Sequence, residues 1–371
     1  MLKNKTILII SPESWGDIRL SKHHYSIELS KRENNVYFLD PPKHKFSRKI
    51  NIKEIMNNLK VINYNQIRGI NRLPFYIKNY LYKIIAKRIR LSIKSSIDIV
   101  WTFEPFRFQN PSAFDPKLII YHPTDIHKTK LENELVNVAD YIFAPSSRIL
   151  NKIKCSEYKK TKIKHGLAEH FTNKKLSNKV KIQINPDKTN VGMVGNLNYP
   201  YLDKNTLIKI IGDNQDIDFY FIGPYKISNV SNERSNKNFH KVLSDFNNFH
   251  LIGPKPSNDL PDYMNQFDIF LICYDSDKYP DELANPHKIM EFLSIGKVIV
   301  SHYIDEYKDN SDLFLMAKNK KQIPKLFSQA VKQNDYFNSK WLINKRIDYA
   351  KNYTYDKLLN EIETHLILSR I

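Results

Sequence analysis

Residues 281–300 read DELANPHKIMEFLSIGKVIV and contain, in order, a helix start, a helix stop and a strand. Asn285 is a residue type that caps helices well, and Pro286 suits the first helical position. Gly296 predicts the end of the helix, and the apolar residues 298–301 predict a buried strand. A helix that runs into an apolar strand in this way is typical of α/β proteins.

The same alternation of short apolar strands and helical stretches extends along the whole chain. The predicted strands are 6–11, 36–39, 97–102, 117–121 and 141–144 in the first half and 190–194, 218–222, 249–252, 269–273 and 298–301 in the second. The predicted helices include 21–32, 76–94 and 355–368. Such alternation favours parallel sheets with right-handed crossovers, and two successive runs predict two Rossmann-like domains.

We expect an N-terminal domain over residues 1–172 and a second domain over residues 173–350. The join is expected near the polar residues 173–186, and residues 351–371 should form a helical segment that packs back on the body. In two-domain α/β proteins the carboxyl ends of the strands and the cleft between the domains are the expected ligand sites.

The chain has 371 residues, of which 41% are hydrophobic, and it carries only two cysteines. This composition is globular, and two cysteines exclude a disulfide framework and a thiolate zinc site. No apolar run approaches the ~18 residues that a membrane span needs, and the first residues lack the features of a signal peptide. We therefore expect a cytoplasmic protein.

The net charge of +19 lies entirely in the N-terminal half. Residues 1–180 contain 34 Lys and Arg against 15 Asp and Glu, whereas the remaining residues contain 24 of each kind. A basic half attracts nucleic acid, anionic lipid or a ligand with a pyrophosphate group.

Residues 73–94 concentrate part of this charge in a predicted amphipathic helix that contains no acidic residue. Its apolar stripe is predicted to comprise Ile77, Leu81, Ile84, Ile85 and Ile89. The helix either docks on anionic lipid or packs its stripe in the core and leaves a basic face in solvent.

Two stretches of the second half suggest phosphate binding. In the helix after Asn285, the residues His287, Lys288 and Glu291 lie off the apolar face, so the free helix start and Lys288 form a candidate anion site. Glu291 is placed to accept hydrogen bonds from a ribose diol. An ordinary capped helix with an i,i+3 Lys–Glu pair explains the same pattern. Residues 191–199, VGMVGNLNY, predict a strand that enters a glycine-bearing loop. Gly195 there either lets a phosphate approach the backbone NH groups or is required by a turn with positive φ.

These stretches, together with 219–224, 249–253, 260–263 and 267–272, come in an order and spacing that resembles family 4 glycosyltransferases, in particular bacterial members that build surface polysaccharides. The most specific part is the pattern Pro-x-Lys-x-x-Glu-Phe-Leu-Ser-x-Gly-Lys from Pro286 to Lys297. The similarity covers residues 190–368 well and the first half loosely.

The resemblance implies the GT-B fold, in which two Rossmann-like domains face each other across a cleft. It implies a nucleotide-sugar donor, most often a UDP-sugar, as co-substrate, with no metal and with retention of anomeric configuration. Lys288 would hold the diphosphate and Glu291 the ribose. The implied donor-binding residues are Gly195, Asn196, Asn285, Pro286, His287, Lys288 and Glu291. This chain departs from the family at Leu283, where a second Glu is common, and at Asn196, where an Arg is common and the nearest Lys is Lys204.

In the first half, residues that follow predicted strands are the candidates for the rest of the site. Trp15 and Gly16 lie in the loop after the first strand, which in the GT-B fold borders the cleft, although a plain surface turn would look alike. His122 and Asp125 follow another strand and are candidates for contact with the transferred sugar or for acid–base chemistry. A structural role for His122 is the alternative. His165 is a candidate cleft residue.

We expect no metal site, since His23 and His24 lie on a predicted helix without a third ligand. The function these observations favour is a glycosyltransferase that moves a sugar to a lipid-linked or oligosaccharide acceptor at an anionic membrane surface, on the inner face of the plasma membrane. The alternatives are a nucleotide-sugar epimerase, a non-catalytic nucleotide-sugar-binding protein and a nucleic-acid-binding protein. The sequence carries no helix-turn-helix, zinc-finger or RNP motif, so no nucleic-acid partner is expected.

Overall fold

The computed structural model describes residues 1–44, 47, 49–172, 182–225, 239–310 and 312–368. The chain divides into two compact units, Met1–Lys164 with Tyr355–Ile371 and His165–Thr354. Residues 173–181, where the sequence places the domain join, lie outside the described residues. The second unit begins at His165, before that segment, and the C-terminal helix belongs to the first unit.

The first unit is built on a sheet in the order β3-β4-β2-β1-β5-β6-β7-β8. Its strands are β1 (Thr6–Ile10), β2 (Asn35–Leu39), β3 (Asn51–Met56), β4 (Leu59–Asn63), β5 (Ile99–Thr102), β6 (Leu118–Tyr121), β7 (Tyr141–Ala144) and β8 (Lys160–Lys162). The outer strand β3 runs antiparallel to β4, and the other described pairs are parallel. The helices are α1 (Ser21–Lys31), α2 (Phe75–Ile93), α3 (Leu131–Val138) and α4 (Ser147–Lys152). Strands such as β1 are buried along their whole length, as parallel strands covered on both faces must be.

The second unit starts with the short helix α5 (Glu169–Thr172) and contains a parallel sheet in the order β11-β10-β9-β12-β13-β14. Its strands are β9 (Asn190–Val194), β10 (Asp218–Ile222), β11 (Phe249–Gly253), β12 (Ile269–Ile272), β13 (Val298–Ser301) and β14 (Leu315–Met316). The helices are α6 (Lys204–Asp213), α7 (Phe239–Ser244), α8 (Leu260–Met264), α9 (Lys288–Ile295), α10 (Ile323–Lys332), α11 (Asn334–Phe337) and α12 (Lys340–Lys351).

The last helix, α13 (Tyr355–Leu368), packs against α1 of the first unit. Arg32 at the end of α1 donates hydrogen bonds to the side chains of Asp356 and Asn360, at 2.6 and 2.7 Å. The N-terminal ammonium of Met1 pairs with Glu363 of the same helix. The amphipathic C-terminal helix is therefore attached to the first sheet domain by polar contacts as well as by its buried apolar face.

Each predicted strand is present, with ends that differ from the prediction by at most two residues. The sequence did not predict β3, β4, β8 and β14. Within the described residues, no helix is both long enough and apolar enough to cross a membrane.

Candidate functional site

The strands of the second sheet end together at one edge, because their described pairs are all parallel. The chain leaves this edge in loops after β9, β10, β12 and β13. Helices α6 and α9 run back from it, so their N-terminal ends begin there. In open parallel sheets this edge is where ligands bind, and most of the predicted donor-binding residues lie on it.

The loop after β9 is held in a tight turn by its own asparagines. The side-chain oxygen of Asn196 accepts a hydrogen bond from the backbone NH of Asn198 at 3.0 Å, and its carbonyl accepts one from Tyr199 at 3.0 Å. The amide of the Asn198 side chain donates to the carbonyl of Tyr225, at 2.8 Å, in the loop after β10. Asn196 thus shapes this loop.

Glycines allow the loops after β9 and β10 to touch through their backbones. Gly223 has a φ of +143°, and a Cβ added to it would lie 1.7 Å from the carbonyl oxygen of Gly195. At Gly195 itself, an added Cβ would lie 3.2 Å from the hydroxyl of Tyr274. Gly192 has a different role, because a Cβ there would overlap the ring of Phe267 at 2.2 Å. The backbone of the Gly195 loop is therefore tightly packed on one side.

The helix that carries Lys288 begins later than predicted. Its first residue is Lys288, preceded by His287 with helical φ and ψ of −60° and −26° and without a side-chain cap, so Asn285 is not the N-cap and Pro286 is not in the helix. The carbonyl of Pro286 instead accepts from the NH of Ile289 at 3.2 Å, which makes a tight turn ahead of the helix. The predicted stop is confirmed, since Gly296 ends the helix with a φ of +87°.

Lys288 and Glu291 are paired with each other in the first turn of α9. The Lys288 ammonium lies 3.0 and 2.8 Å from the two carboxylate oxygens of Glu291. The two side chains retain 20% and 16% of their exposure, so water or a ligand reaches both. The pairing matches the structural alternative raised from the sequence, and it also puts a cation and a carboxylate at the carboxyl edge of the sheet.

His165 contacts the segment just before α9. Its Nε2 lies 2.9 Å from the carbonyl oxygen of Asn285, and its ring meets that of His287 edge to face, with centroids 6.1 Å apart. All three residues belong to the second unit. His165 therefore positions the turn that leads into Lys288.

Two further residues lie at this edge that the sequence did not indicate as site residues. Tyr274 follows β12, and its ring lies 5.4 Å from that of His302, which follows β13 and is fully buried. Burial lowers the pKa of His302 to about 4. The signal was a polar residue directly after an apolar strand, the same signal that singled out His122. Leu283, where the resemblance led us to expect a Glu, is buried beside this group and donates its NH to the carbonyl of Tyr279 at 3.2 Å.

Lys204 begins α6 at the same edge of the sheet, and Asp203 caps that helix. The Lys204 ammonium lies 5.2 Å from the centroid of the Phe239 ring, and burial lowers its pKa. A second lysine thus lies at the start of a helix on the carboxyl edge. Its helix follows β9, which is the neighbour of β12, the strand that precedes Lys288.

In the first unit, Trp15 is fixed in the loop after β1. Its backbone NH donates to a carboxylate oxygen of Asp40 at 2.9 Å, and its ring packs on Phe38 and His23 with centroids 5.0 and 5.4 Å away. A Cβ added to Gly16 would meet no atom of the described residues within 4 Å, so none of these residues demands a glycine there.

His122 and Asp125 follow β6 but occupy different surroundings. The His122 ring is 2% exposed and stacks on Phe103 and Trp101, with centroids 5.1 and 6.0 Å away. Asp125 is exposed and accepts a hydrogen bond from the hydroxyl of Thr124 at 3.1 Å. The packing of His122 is that of a core residue, whereas Asp125 is accessible to a ligand.

No family model and no curated protein matches the sequence. Solved structures do match it over nearly its whole length. An Escherichia coli structure, described as trehalose-6-phosphate bound with UDP-2-fluoro glucose, is 8% identical, covers 99% of each chain and has a TM-score of 0.72. Sucrose-phosphate synthase from Thermosynechococcus elongatus is 9% identical, covers 98% of this chain and 100% of its own, and has a TM-score of 0.72. Anabaena HepE in complex with UDP is 12% identical, covers 97% and 99%, and has a TM-score of 0.67.

Similarity at these identities is a statement about fold. The two parallel-sheet units and the near-complete coverage agree with the architecture expected from the sequence. The chain has the GT-B fold.

Proposed function

We propose that the protein is a glycosyltransferase that moves a sugar from a UDP-sugar to a glycan acceptor. The observation that carries the proposal is the edge of the second sheet, where two glycine-containing loops and the first turn of α9, with Lys288 and Glu291, come to the carboxyl ends of parallel strands. The support from comparison is that similar structures contain UDP or UDP-2-fluoro glucose.

The proposed roles follow from the charges at this edge. Lys288 and the positive end of the α9 helix dipole stabilise the diphosphate, both when the donor binds and when the diphosphate departs. Glu291 accepts hydrogen bonds from the ribose hydroxyls. For this, the Lys288–Glu291 pair exchanges its internal contacts for contacts with the ligand. We propose that transfer needs no metal and retains the anomeric configuration, as the resemblance to family 4 implies.

The donor site is tested by binding of UDP-, GDP-, ADP- and dTDP-sugars to wild type, Lys288→Met and Glu291→Ala, measured by thermal shift and calorimetry. A bound nucleotide raises the melting temperature by mass action. Loss of a charge-assisted contact should weaken UDP-sugar binding by roughly 10- to 100-fold.

The matched control is the ion pair Lys209–Asp213, at 2.8 Å on α6, with both side chains exposed. Lys209→Met and Asp213→Ala should leave nucleotide binding within about twofold of wild type. If the Lys288 and Glu291 variants bound the UDP-sugar as tightly as wild type, the assigned site would be contradicted. If wild type bound none of the nucleotide-sugars, the proposed function would be contradicted.

Glu291→Gln separates the two roles further. The amide removes the negative charge that competes for Lys288 and still presents an oxygen to hydroxyl groups. Affinity for inorganic pyrophosphate should therefore hold or rise, while affinity for UDP should fall because an amide is a weaker acceptor than a carboxylate. Parallel losses for pyrophosphate and UDP would contradict this division.

We further propose that the acceptor is lipid-linked and that α2 holds the enzyme on an anionic membrane at the cytoplasmic face, in the synthesis of surface polysaccharide. The core face of α2 is Tyr82, Ile85, Ala86, Ile89 and Ile93. Its opposite side exposes more than half of each of the apolar side chains Tyr76, Ile77, Tyr80 and Leu91. Lys83, Lys87 and Lys94 are exposed beside them. Exposed aromatic and basic side chains on one helix face fit an anionic lipid surface.

Sedimentation with vesicles tests this face. We expect wild type to bind phosphatidylglycerol vesicles and to dissociate from them at high salt. It should not bind phosphatidylcholine vesicles. The double variant Tyr80→Ser, Leu91→Ser should lose most of this binding. Tyr158→Ser, which removes an equally exposed tyrosine of the same unit, should not. Binding unaffected by the α2 changes would contradict the membrane role of this helix.

A further inference from the structure

The first unit contains a cavity of about 550 Å³ at its antiparallel edge. One wall is a face of the β3–β4 ribbon, and the other walls come from the loops after β1 and β2. The side chains that matter for recognition are Lys43, Lys49, Lys53, Asn51, Asn63 and Trp15. The volume lies in the range of about 300–1,000 Å³ that is usual for small-molecule sites.

The two faces of the β3–β4 ribbon carry different residues, because side chains alternate along a strand. Ile52 and Ile62 lie opposite each other in the register and pack in the core beneath α2. Asn51 and Asn63 form the neighbouring pair, which faces the cavity together with Lys53. The ribbon therefore packs Ile52 and Ile62 in the core and presents the amide and ammonium groups to the cavity, beside the apolar side chains of Ile55 and Val61.

The basic groups of the cavity come from one stretch of the chain, the connection between β2 and β3 together with β3 itself. Lys43 follows β2, Lys49 precedes β3 and Lys53 lies within β3. A lysine on an edge strand is a common protection against pairing with another strand, which would explain Lys53 alone. It does not explain why lysines from the β2 loop also line the same cavity.

The aromatic group of the cavity is held in place by Asp40, which also lines the cavity. Asp40, itself 7% exposed, accepts the backbone NH of Trp15, and the Trp15 ring leans on Phe38. The buried guanidinium of Arg107 donates to the carbonyl oxygen of Asp40 at 2.9 Å and to the Tyr64 hydroxyl at 3.1 Å. This network fixes the indole at the cavity wall before any ligand arrives.

The combination defines a class of ligand. An indole face packs on the C–H face of a sugar ring, asparagine amides donate to and accept from hydroxyl groups, and ammonium groups pair with phosphate or carboxylate. We propose that this cavity binds the acceptor and that the acceptor is an anionic carbohydrate, a sugar carrying a phosphate or carboxylate group near Lys43, Lys49 and Lys53. That the bound sugar is the acceptor rests on the proposed function, whereas the binding of an anionic sugar to this cavity does not.

Binding is tested by titration with glucose 6-phosphate, glucuronic acid, glucose and inorganic phosphate, using calorimetry and tryptophan fluorescence. Trp15 lines the cavity, so its emission should change on binding and the change should vanish in Trp15→Phe, which keeps Trp101 and Trp341. We expect the two anionic sugars to bind more tightly than either glucose or phosphate. Equal binding of glucose would overturn the anionic part of the proposal, and equal binding of phosphate alone would overturn the carbohydrate part.

The charge requirement is tested by the combined variant Lys43→Gln, Lys49→Gln, Lys53→Gln, which should bind glucose 6-phosphate roughly 10- to 100-fold more weakly. The control with the same change in net charge is Lys3→Gln, Lys130→Gln, Lys154→Gln, at exposed positions of the same unit. The control should bind like wild type. Equal losses in both triple variants would show a general charge effect and would overturn the assignment to the cavity.

Two further measurements separate the possible sources and failures. Neutral phosphatidylcholine vesicles that carry a polyprenyl-phosphate-linked sugar distinguish a lipid-linked ligand from free glucose 6-phosphate, and either result supports an anionic sugar. If a single-stranded RNA oligonucleotide bound more tightly than the sugar and displaced it, the proposal of an anionic-sugar site would be overturned. UDP binding, followed in parallel, shows that the variants fold. Intact UDP binding without anionic-sugar binding refutes the cavity alone, and the reverse result refutes the proposed donor site alone.

Discussion

Replacing Gly223 by alanine should separate the loops after β9 and β10. An added Cβ would lie 1.7 Å from the carbonyl oxygen of Gly195, whereas ordinary contact begins at 3.4 Å. The loops must therefore part by the difference, or the backbone must rotate away from its φ of +143°. Such a movement breaks the hydrogen bonds, both 3.0 Å long, from Gly195 to the carbonyl of Ile222 and from Leu197 to that of Pro224.

The size of the effect follows from these contacts. Each lost hydrogen bond costs about 1 kcal/mol. A non-glycine residue in this region of φ adds about 1–3 kcal/mol. We expect Gly223→Ala to lower the free energy of unfolding by about 3–5 kcal/mol, a large part of the ~5–15 kcal/mol that folded proteins possess.

Two other glycines supply graded controls, measured by urea unfolding with circular dichroism. Gly253 has a φ of +80°, but an added Cβ would meet only the Tyr225 ring at 3.8 Å, so Gly253→Ala should cost about 1–2 kcal/mol. Gly16→Ala meets nothing within 4 Å and should cost under about 0.5 kcal/mol. Equal unfolding midpoints for Gly223→Ala and Gly253→Ala would refute the argument that the loop contact is tight.

Two further predictions concern buried charged and titratable groups. Arg346 is 2% exposed and donates to three carbonyl groups at 2.7–2.9 Å, those of Leu313, Gly296 and Phe337. Arg346→Leu should lower the free energy of unfolding by about 3–5 kcal/mol, and Lys345→Met, at a more exposed ion pair, by less than about 1 kcal/mol; similar costs in urea unfolding would contradict this. His302 is neutral when buried, with its pKa lowered to about 4, so its contribution to stability is complete above pH 6.5 and is lost as the pH falls from 6.5 towards 4. The loss amounts to about 3 kcal/mol, and His302→Leu should flatten the fall of the free energy of unfolding over that pH range; an unchanged slope would contradict the assignment.

The buried strands were predictable because they carry strong local signals. Residues 190–194 and 298–301 contain no charged residue and are mostly apolar, and the structure has strands there with the same ends. The ribbon of β3 and β4 lacked this signal. In β3, Ile52 and Ile55 are three residues apart and therefore lie on opposite faces, so the strand lacks the alternation of apolar and polar residues that would mark it in the sequence.

The helices show which details depend on tertiary contacts. The sequence predicted Ile77 and Ile84 in the core stripe of α2, and both are exposed. Tyr82 and Ile93 complete the buried face instead, because they share one side of the helix with Ile85, Ala86 and Ile89 at i, i+3 and i+4 spacing. For α9, capping preferences favoured Asn285 as the start. Its carbonyl contacts His165, more than 100 residues away in the chain, a contact that local preferences do not contain.

The site residues divide in the same way. The proximity of Lys288 and Glu291 follows from i,i+3 spacing on a helix, which any sequence reveals. The cavity in the first unit joins Trp15, from the loop after β1, with Lys43 and Lys53, and all three residues lie outside the predicted strands. The cavity requires the register of β3 against β4, which sets which side chains share a face.

The Lys288–Glu291 pair is compatible with the proposed donor site because separating the two charges costs little free energy. A part-exposed ion pair contributes about 0–1 kcal/mol, since water stabilises both charges when they separate. A charge-assisted hydrogen bond to a phosphate oxygen contributes about 1.5–3 kcal/mol, so Lys288 gains by exchanging its partner. Glu291, released from the lysine, then accepts hydrogen bonds from hydroxyl groups in place of the ammonium. The pair thus keeps both groups in the first turn of α9 when no ligand is bound, and the exchange favours a ligand that presents an anion and a diol together over one that presents either alone.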